Sequence, residues 1–173
     1  MGDPRRIRKK YQMPSHPWQK TRIDEEKAVK KEYGIPRNRE IWRMASKLKD
    51  FKDRVKKLIT RQDKQAELEK SQLLSKLHTL GLLQVDHGLD QILSLTLRNV
   101  LDRRLQSVLV RKSLARSMSQ ARQMIVHKKV LVDGKAINIP SFVVTRDLES
   151  KISLKERKFK EKIIQEKAVE VAI

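Results

Sequence analysis

The sequence predicts an α+β fold with an N-terminal basic arm, a helical subdomain and a small αα-β domain that carries a short hairpin-based sheet. Three observations favour it. Apolar residues follow helical spacing between residues 23 and 109, two β-branched runs flank Asp133-Gly134, and the first 22 residues show no apolar period. We expect four parts: the arm with a short helix (1–39), the helical subdomain (40–97), the αα-β domain (98–155) and a charged tail (156–173). For the tail, a docking helix and a frayed end both stay open.

The arm is rich in basic residues and poor in acids, with Asp3 the single acid before Lys20. A segment of this kind cannot bury a core alone, so we expect it to become ordered on a charged, grooved surface such as folded RNA. A solubilising tail remains the alternative. The candidate contacts in the arm are Arg5, Arg6, Arg8, Lys9, Lys10, Tyr11 and Trp18.

Three helices are predicted in the first half of the chain. The first begins around residues 23–26 and ends at Gly34, a residue suited to the left-handed conformation that closes a helix. Another runs from about Gln65 to Leu80 and is closed by Gly81. Between them lies a longer helix whose apolar stripe is predicted to be core: Ile41, Met44, Ala45, Leu48, Phe51, Val55, Leu58 and Ile59.

The αα-β domain is predicted from two caps and a hairpin. Thr96 can cap a helix whose apolar positions continue to Leu109. Ser117 can cap a second helix beginning at Met118, with Gln120 completing a capping box. Residues 130–137 then form a hairpin across Asp133-Gly134, and residues 139–145 and 151–154 are predicted as further strands.

Composition points to a polyanionic partner and excludes several functions. Lys and Arg total 41 against 21 Asp and Glu, a net charge of +20 that is best explained by nucleic acid. The absence of cysteine excludes disulfides, thiolate zinc sites and cysteine nucleophiles. His78 and His87 lack metal-ligand spacing, so no metal and no cofactor is expected. No apolar run could span a bilayer, and we expect an intracellular protein without a membrane partner.

No catalytic constellation is present either. The chain lacks a glycine-rich phosphate loop, a nucleophile elbow and paired carboxylates in an apolar stretch. We therefore expect neither an enzyme nor a small-molecule substrate.

The motifs around the hairpin resemble a known family. The RNA-binding domain named after ribosomal small-subunit protein S-four is similar in order and spacing to residues 102–105, 114–117, 120–125, 127–135 and 139–144. The amino-terminal signature of that ribosomal protein family, in its archaeal branch, is similar to residues 1–4, 8–11, 16–18 and 22–26. Its middle section resembles residues 76–77, 80–83 and 93–96.

The resemblance implies a structural constituent of the small ribosomal subunit, located in the cytoplasmic ribosome. It implies direct binding to small-subunit rRNA at a helix junction, nucleation of assembly and a contribution to decoding accuracy. The implied neighbours are ribosomal proteins three and five of the same subunit, near the mRNA entry region.

The candidate RNA contacts of the αα-β domain are basic or neutral polar side chains. Cations would neutralise phosphates, and amides and hydroxyls would bond to phosphate or ribose. His127 can contact RNA, as the resemblance implies, or can simply close its helix. The cations are Arg103, Arg104, Arg111, Lys112, Arg116, Arg122, Lys128, Lys129 and Lys135, and the neutral residues are Ser119, Gln120 and Gln123.

Two substitutions separate the expected interface from the expected core. Arg122→Glu should abolish rRNA binding without unfolding the domain, and Leu105→Asp should unfold it. Two other functions stay open. One is a ribosome-assembly factor of the small nucleolar type related to the same family. The other is a DNA-binding module, since two helices with a turn can mimic a helix-turn-helix.

Overall fold

The structure is a computed structural model that describes residues 11–84 and 88–155. The candidate arm contacts before Tyr11, His87 and the predicted tail lie outside these residues. The elements of the described part are α1 (Lys20–Tyr33), α2 (Asn38–Ile59), α3 (Lys64–Thr79), α4 (Leu89–Ser94), α5 (Leu97–Asp102), α6 (Leu105–Arg111), α7 (Met118–Val126), β1 (Val130–Val132), β2 (Lys135–Ala136), α8 (Arg146–Ser150) and β3 (Ile152–Leu154).

The first helix begins earlier than its acidic residues suggested. α1 starts at Lys20, whereas the sequence placed its start near residues 23–26. Its predicted end is confirmed, because Gly34 adopts the left-handed conformation with φ 58° and the N–H of Ile35 donates to the carbonyl of Lys30 at 3.0 Å. This is the hydrogen-bonded glycine closure that satisfies terminal carbonyls.

The second helix, α2, buries most of its predicted apolar stripe. α2 buries Ile41, Met44, Leu48, Val55 and Leu58, while Phe51 is half-buried. The prediction was wrong for two residues at the edges of the stripe, since Ala45 is exposed and Ile59 is 46% exposed. α3 ends before Gly81, whose φ of 70° confirms its predicted conformation.

The single helix predicted between Leu97 and Leu109 is broken into α5 and α6. Arg104 is extended, with φ −73° and ψ 146°, and forms an isolated β-bridge with Val143. The N–H of Leu105 donates to the carbonyl of Phe142 at 2.7 Å. Pairing with a distant segment therefore interrupts the helix, although the apolar spacing continues across the break.

The caps of α5 and α7 occupy the predicted positions with altered bonds. The Thr96 hydroxyl donates to Oδ1 of Asn99 at 2.8 Å instead of accepting from a backbone N–H. Ser117 Oγ accepts from the N–H of Gln120 at 3.2 Å, as a cap should. The Gln120 side chain reaches back one residue further than expected and accepts from the N–H of Arg116 at 2.8 Å.

The sheet has three antiparallel strands in the order β2-β1-β3. Asp133 and Gly134 form the hairpin turn with φ values of 52° and 75°, and β3 confirms the strand predicted at residues 151–154. The strand predicted over residues 139–145 is wrong. The N–H of Phe142 folds back to the carbonyl of Ile139 at 3.2 Å, and Val143 makes the one bridge of this segment. Helices α4 and α8 were not predicted.

Two hydrophobic cores result, and the α+β class is confirmed. The first core extends from Tyr33 to Leu101 and unites α1 to α5, and the second extends from Leu105 to Ile152 and unites α6, α7 and the sheet. Leu105 is fully buried, as its predicted core position requires. In the described part of the chain, no helix is long and apolar enough to cross a membrane.

Candidate nucleic-acid interface

The two cores meet at polar contacts, and one group of these contacts is centred on Glu40 of α2. Its carboxylate accepts from Arg104 at 2.5 Å and from Arg122 of α7 at 2.8 Å. Burial alone would raise the pKa of Glu40, but the hydrogen bonds from the two arginines outweigh it and hold this pKa below its ordinary value. The contact fixes α7 against the helical part of the chain.

A second carboxylate, that of Glu149, also pairs with cations of the domain. Glu149 of α8 accepts from Arg103 at 2.8 Å and from Arg111 at 2.6 Å, and Lys112 donates to its backbone carbonyl. Burial would raise the pKa of Glu149, yet the hydrogen bond and charge of Arg103, followed by those of Arg111, lower it. The Arg103 guanidinium also donates to the carbonyl of Val144 at 3.0 Å.

A buried amide joins α1 to α7. Nε2 of Gln106 donates to the carbonyls of Tyr33 at 3.1 Å and Met118 at 2.9 Å. The Tyr33 hydroxyl donates to Asp102 at 2.8 Å, and burial followed by this bond raises the pKa of Tyr33. We call the contacts of Glu40, Glu149 and Gln106 the polar seam. Because the seam fixes the carboxyl end of α1 beside α7, side chains of both helices share one surface.

Five of the predicted phosphate-binding cations are already bonded to Glu40 or Glu149 in the polar seam: Arg103, Arg104, Arg111, Lys112 and Arg122. Two of them, Arg103 and Arg104, are only 8% and 1% exposed. Their guanidiniums are not accessible to a phosphate in this structure, so we assign these two residues to the fold. Arg122 remains partly exposed, with 27% of its side-chain surface accessible.

The remaining predicted contacts around α7 are exposed residues from the segment 116–129. We call this set the α7 face, and its members are Arg116, Ser119, Gln120, Gln123, His127, Lys128 and Lys129. Among the described residues, none of its three cations Arg116, Lys128 and Lys129 has an ion-pair partner. Unpaired exposed cations beside neutral donors are the groups that phosphate and ribose require.

The loop after α7 positions the lysines of the α7 face. His127 is the C-terminal cap of the helix, and its N–H donates to the carbonyl of Gln123 at 3.0 Å. Its ring is exposed, so capping by its backbone leaves the imidazole accessible. Lys128 follows with a left-handed φ of 54°, which turns the chain into β1. Lys135 is exposed on β2, at the hairpin.

An open cleft of about 690 Å³ lies between the end of α1 and α7. Lys30 and Lys31 line it from α1, and Arg122, Gln123 and His127 line it from α7. The two lysines were missed as site residues. Basic residues are common in the last turn of a helix, where they interact favourably with the helix dipole. The neighbouring sequence does not show that α1 ends beside α7.

The two aromatic candidates of the arm differ in accessibility. The ring of Tyr11 lies 6.1 Å from that of Trp42, centroid to centroid, and the Arg43 guanidinium lies 6.0 Å from the Tyr11 ring. Trp18 is 91% exposed. An exposed indole offers a free face for stacking on a base, whereas the Tyr11 ring already packs against α2.

Neither histidine nor carboxylate clusters suggest a metal in the part of the chain described. No group of three potential ligands lies within metal-binding reach there. His78 instead shares a 2.8 Å hydrogen bond with Arg146 of α8, whose guanidinium also donates to the carbonyl of Leu83 at 2.6 Å.

Comparison with known proteins identifies the family of the chain. The sequence model of the S4 domain matches residues 103–149, which include α6, α7 and the hairpin. The small ribosomal subunit protein uS4 of Methanococcus aeolicus is 45% identical over 88% of this chain and 87% of the relative. That of Ignicoccus hospitalis is 41% identical over 88% and 92%, and that of Methanococcus maripaludis is 40% identical over 84% and 82%. The chain therefore belongs to the family of small ribosomal subunit protein uS4, which confirms the resemblance of its motifs.

Proposed function

We propose that the chain is a structural, non-enzymatic constituent of the small ribosomal subunit that binds small-subunit rRNA directly through the α7 face and the adjoining cleft. The observation that carries the proposal is the division of cations in this domain. Glu40 and Glu149 occupy Arg103, Arg104 and Arg111, whereas the cations of the α7 face stay exposed and unpaired in the described structure.

The mechanism follows from polyelectrolyte physics. Each phosphate neutralised by a cation such as Lys128 or Lys129 releases condensed counterions, so affinity falls steeply with salt. The amides of Gln120 and Gln123 add uncharged hydrogen bonds to phosphate or ribose. Because A-form RNA hides base edges in a narrow major groove, selectivity comes mainly from the shape of the RNA.

The finer role we propose rests on family membership. It comprises binding at a junction of rRNA helices, nucleation of assembly around that junction and a contribution to decoding accuracy. It also places the protein beside ribosomal proteins three and five and the mRNA entry region, in the cytoplasmic ribosome. The four-part division of the chain at residues 39, 97 and 155 likewise stays a proposal.

The test reverses charge on the α7 face. Lys128→Glu with Lys129→Glu should weaken binding to a small-subunit rRNA fragment at least tenfold at moderate salt, and should lower the steepness of the salt dependence by about two phosphate contacts. The matched control is Lys47→Glu with Lys64→Glu, which makes the same change of net charge at exposed positions of α2 and α3. Equal losses in both pairs would refute a specific role for the α7 face.

Arg122→Glu tests RNA binding less selectively than the lysine pair does. The structure places Arg122 in a hydrogen bond with Glu40, so the substitution would set two carboxylates against each other in the polar seam. Binding loss would then mix a lost contact with a loss of stability.

Sedimentation separates the proposed role from that of an assembly factor. A constituent should travel with mature small subunits, whereas an assembly factor should travel only with their precursors. A DNA-binding module would instead prefer duplex DNA to structured RNA at equal salt.

A further inference from the structure

The hairpin of α2 and α3 contains a second cationic groove, which shares no lining residue with the α7 face. The groove has a volume of about 420 Å³ and lies between the carboxyl half of α2 and α3. Leu58 and Leu73 line it and are only 5% and 6% exposed, so its floor is apolar and closed.

The walls of the groove are basic on both sides. Arg54, Lys57 and Arg61 follow one another at three- and four-residue spacing along α2 and just past its end, and Lys76 faces them from α3. Side chains at this spacing share a helix face. Among the described residues, none of the four cations has an ion-pair partner.

Among the described residues, Glu69 is the single acid that lines the groove. Glu69 accepts from the amide of Gln65 at 3.3 Å and does not pair with any of the four cations. Four cations against one carboxylate leave a net positive groove, whose self-repulsion is relieved by an anionic occupant. Gln72 adds a neutral donor to the same wall.

We propose that this groove binds the phosphate backbone of a second stretch of RNA. The inference rests on the proposed function for the identity of the RNA and adds a contact surface to it. Lys57 lies 17 positions after Glu40 in α2, which corresponds to about 25 Å along the helix axis. Glu40 pairs with Arg122, which lines the cleft beside α7. Because charges further apart than about 8–10 Å are screened at physiological salt, the groove attracts its own segment of backbone independently of this cleft.

Directed cleavage gives a position-specific test, because the chain has no cysteine and an introduced one is unique. Gln72→Cys would carry an iron chelate in the groove, and Val126→Cys, at an exposed residue lining the cleft beside α7, would carry the matched probe. With the full chain bound to small-subunit rRNA, we expect each probe to cleave a different stretch of RNA.

The outcomes separate the two proposals. Cleavage from Val126→Cys without cleavage from Gln72→Cys overturns the groove proposal and leaves the proposed function intact. If neither probe cleaves the RNA, both proposals are overturned.

A charge variant gives an independent measure. Lys57→Glu with Lys76→Glu should remove the protection of the second stretch from hydroxyl radicals and reduce the salt dependence by about two phosphate contacts, while protection near the α7 face persists. Unchanged protection and unchanged salt dependence would overturn the groove proposal.

Discussion

At the scale of residues, two glutamates decide how the cations of the second core are used. Glu40 and Glu149 each bind two arginines, and the arginines come from different elements. In a chain with a net charge of +20, a half-buried carboxylate that pairs with two guanidiniums stabilises packing that like charges would otherwise oppose. The cations without such a partner stay available for another anion.

Replacing Glu40 should reveal this dependence. Glu40→Gln leaves Arg104, 1% exposed, with an uncompensated charge, and we expect the free energy of unfolding to fall by about 3–5 kcal/mol in urea denaturation. The Nε and Nη1 groups of Arg104 already lack a hydrogen-bond partner among the described residues, so Arg104→Met should recover much of the loss in the double variant. Additive losses would contradict the pairing. Glu32→Gln, at the exposed pair with Arg98, should cost less than about 1 kcal/mol and serves as the control.

The same carboxylate should make stability depend on acid. The pKa of Glu40 is lowered in the folded protein, so its contribution is complete above the unfolded value near 4.5 and is lost as the pH falls through the folded value. We expect the stability difference between the native chain and Glu40→Gln to shrink as the pH falls from about 6 to about 3. A difference that stays constant over this range, measured by urea denaturation at each pH, would show that Glu40 does not ionise as described.

Three glycines form a graded series at the residue scale. A Cβ at Gly81 would lie 2.7 Å from the Arg103 guanidinium, and φ is +70° there. Gly134 has φ +75° with open space around it, and Gly88 has neither constraint. Alanine should therefore be nearly neutral at Gly88, should cost about 1 kcal/mol at Gly134 and should cost more at Gly81, where the Arg103 guanidinium must also shift. Thermal unfolding of the three variants checks the order, and equal costs at Gly81 and Gly134 would contradict the contact.

At the scale of elements, the sequence predicted those helix ends that are closed by hydrogen bonds between nearby residues. Ser117 caps α7 and Gly34 closes α1, because both bonds join residues a few positions apart. The break at Arg104 could not be predicted in this way. Its cause is a bridge to Val143, and the apolar period on either side stays helical.

The candidate site follows the same rule. The exposed donors of α7 were predictable, since one helix presents them together. The ion pair of Arg122 could not be predicted, because its partner Glu40 lies 82 residues away in the chain. Lys30 and Lys31 were missed for the same reason, as only the packing of α1 against α7 brings them to the cleft.

The cap of α7 supports a prediction for one element. Ser117→Ala removes the oxygen that accepts from the N–H of Gln120, and we expect a loss of about 1 kcal/mol in unfolding free energy. Because α7 carries the proposed RNA contacts, rRNA affinity should fall as well. Thr96→Ala is the matched control, since the Thr96 hydroxyl contacts the Asn99 side chain and no backbone donor. Equal losses in the two variants would contradict the capping role of Ser117.

At the scale of the whole molecule, two cores share one polar seam, and charge is segregated between seam and surface. The seam pairs that involve Arg103, Arg104 and Arg122 are buried or half-buried, so salt screens them weakly. The α7 face and the groove of α2 and α3 hold exposed cations that salt screens well. RNA binding should consequently weaken as salt is added, whereas the stability of the free chain should not fall.

Raising the salt concentration from about 50 to about 200 mM should weaken rRNA binding by about a thousandfold or more if six or more phosphates are contacted. Over the same range, the Tm of the free chain should stay constant or rise, because salt relieves the repulsion within a net charge of +20 and leaves the seam pairs largely unscreened. Thermal unfolding and filter binding on one preparation measure both quantities. The variant Lys128→Glu with Lys129→Glu should keep the response of Tm while its binding becomes less sensitive to salt. A Tm that falls with salt would mean that exposed ion pairs, and not the seam, hold the two cores together.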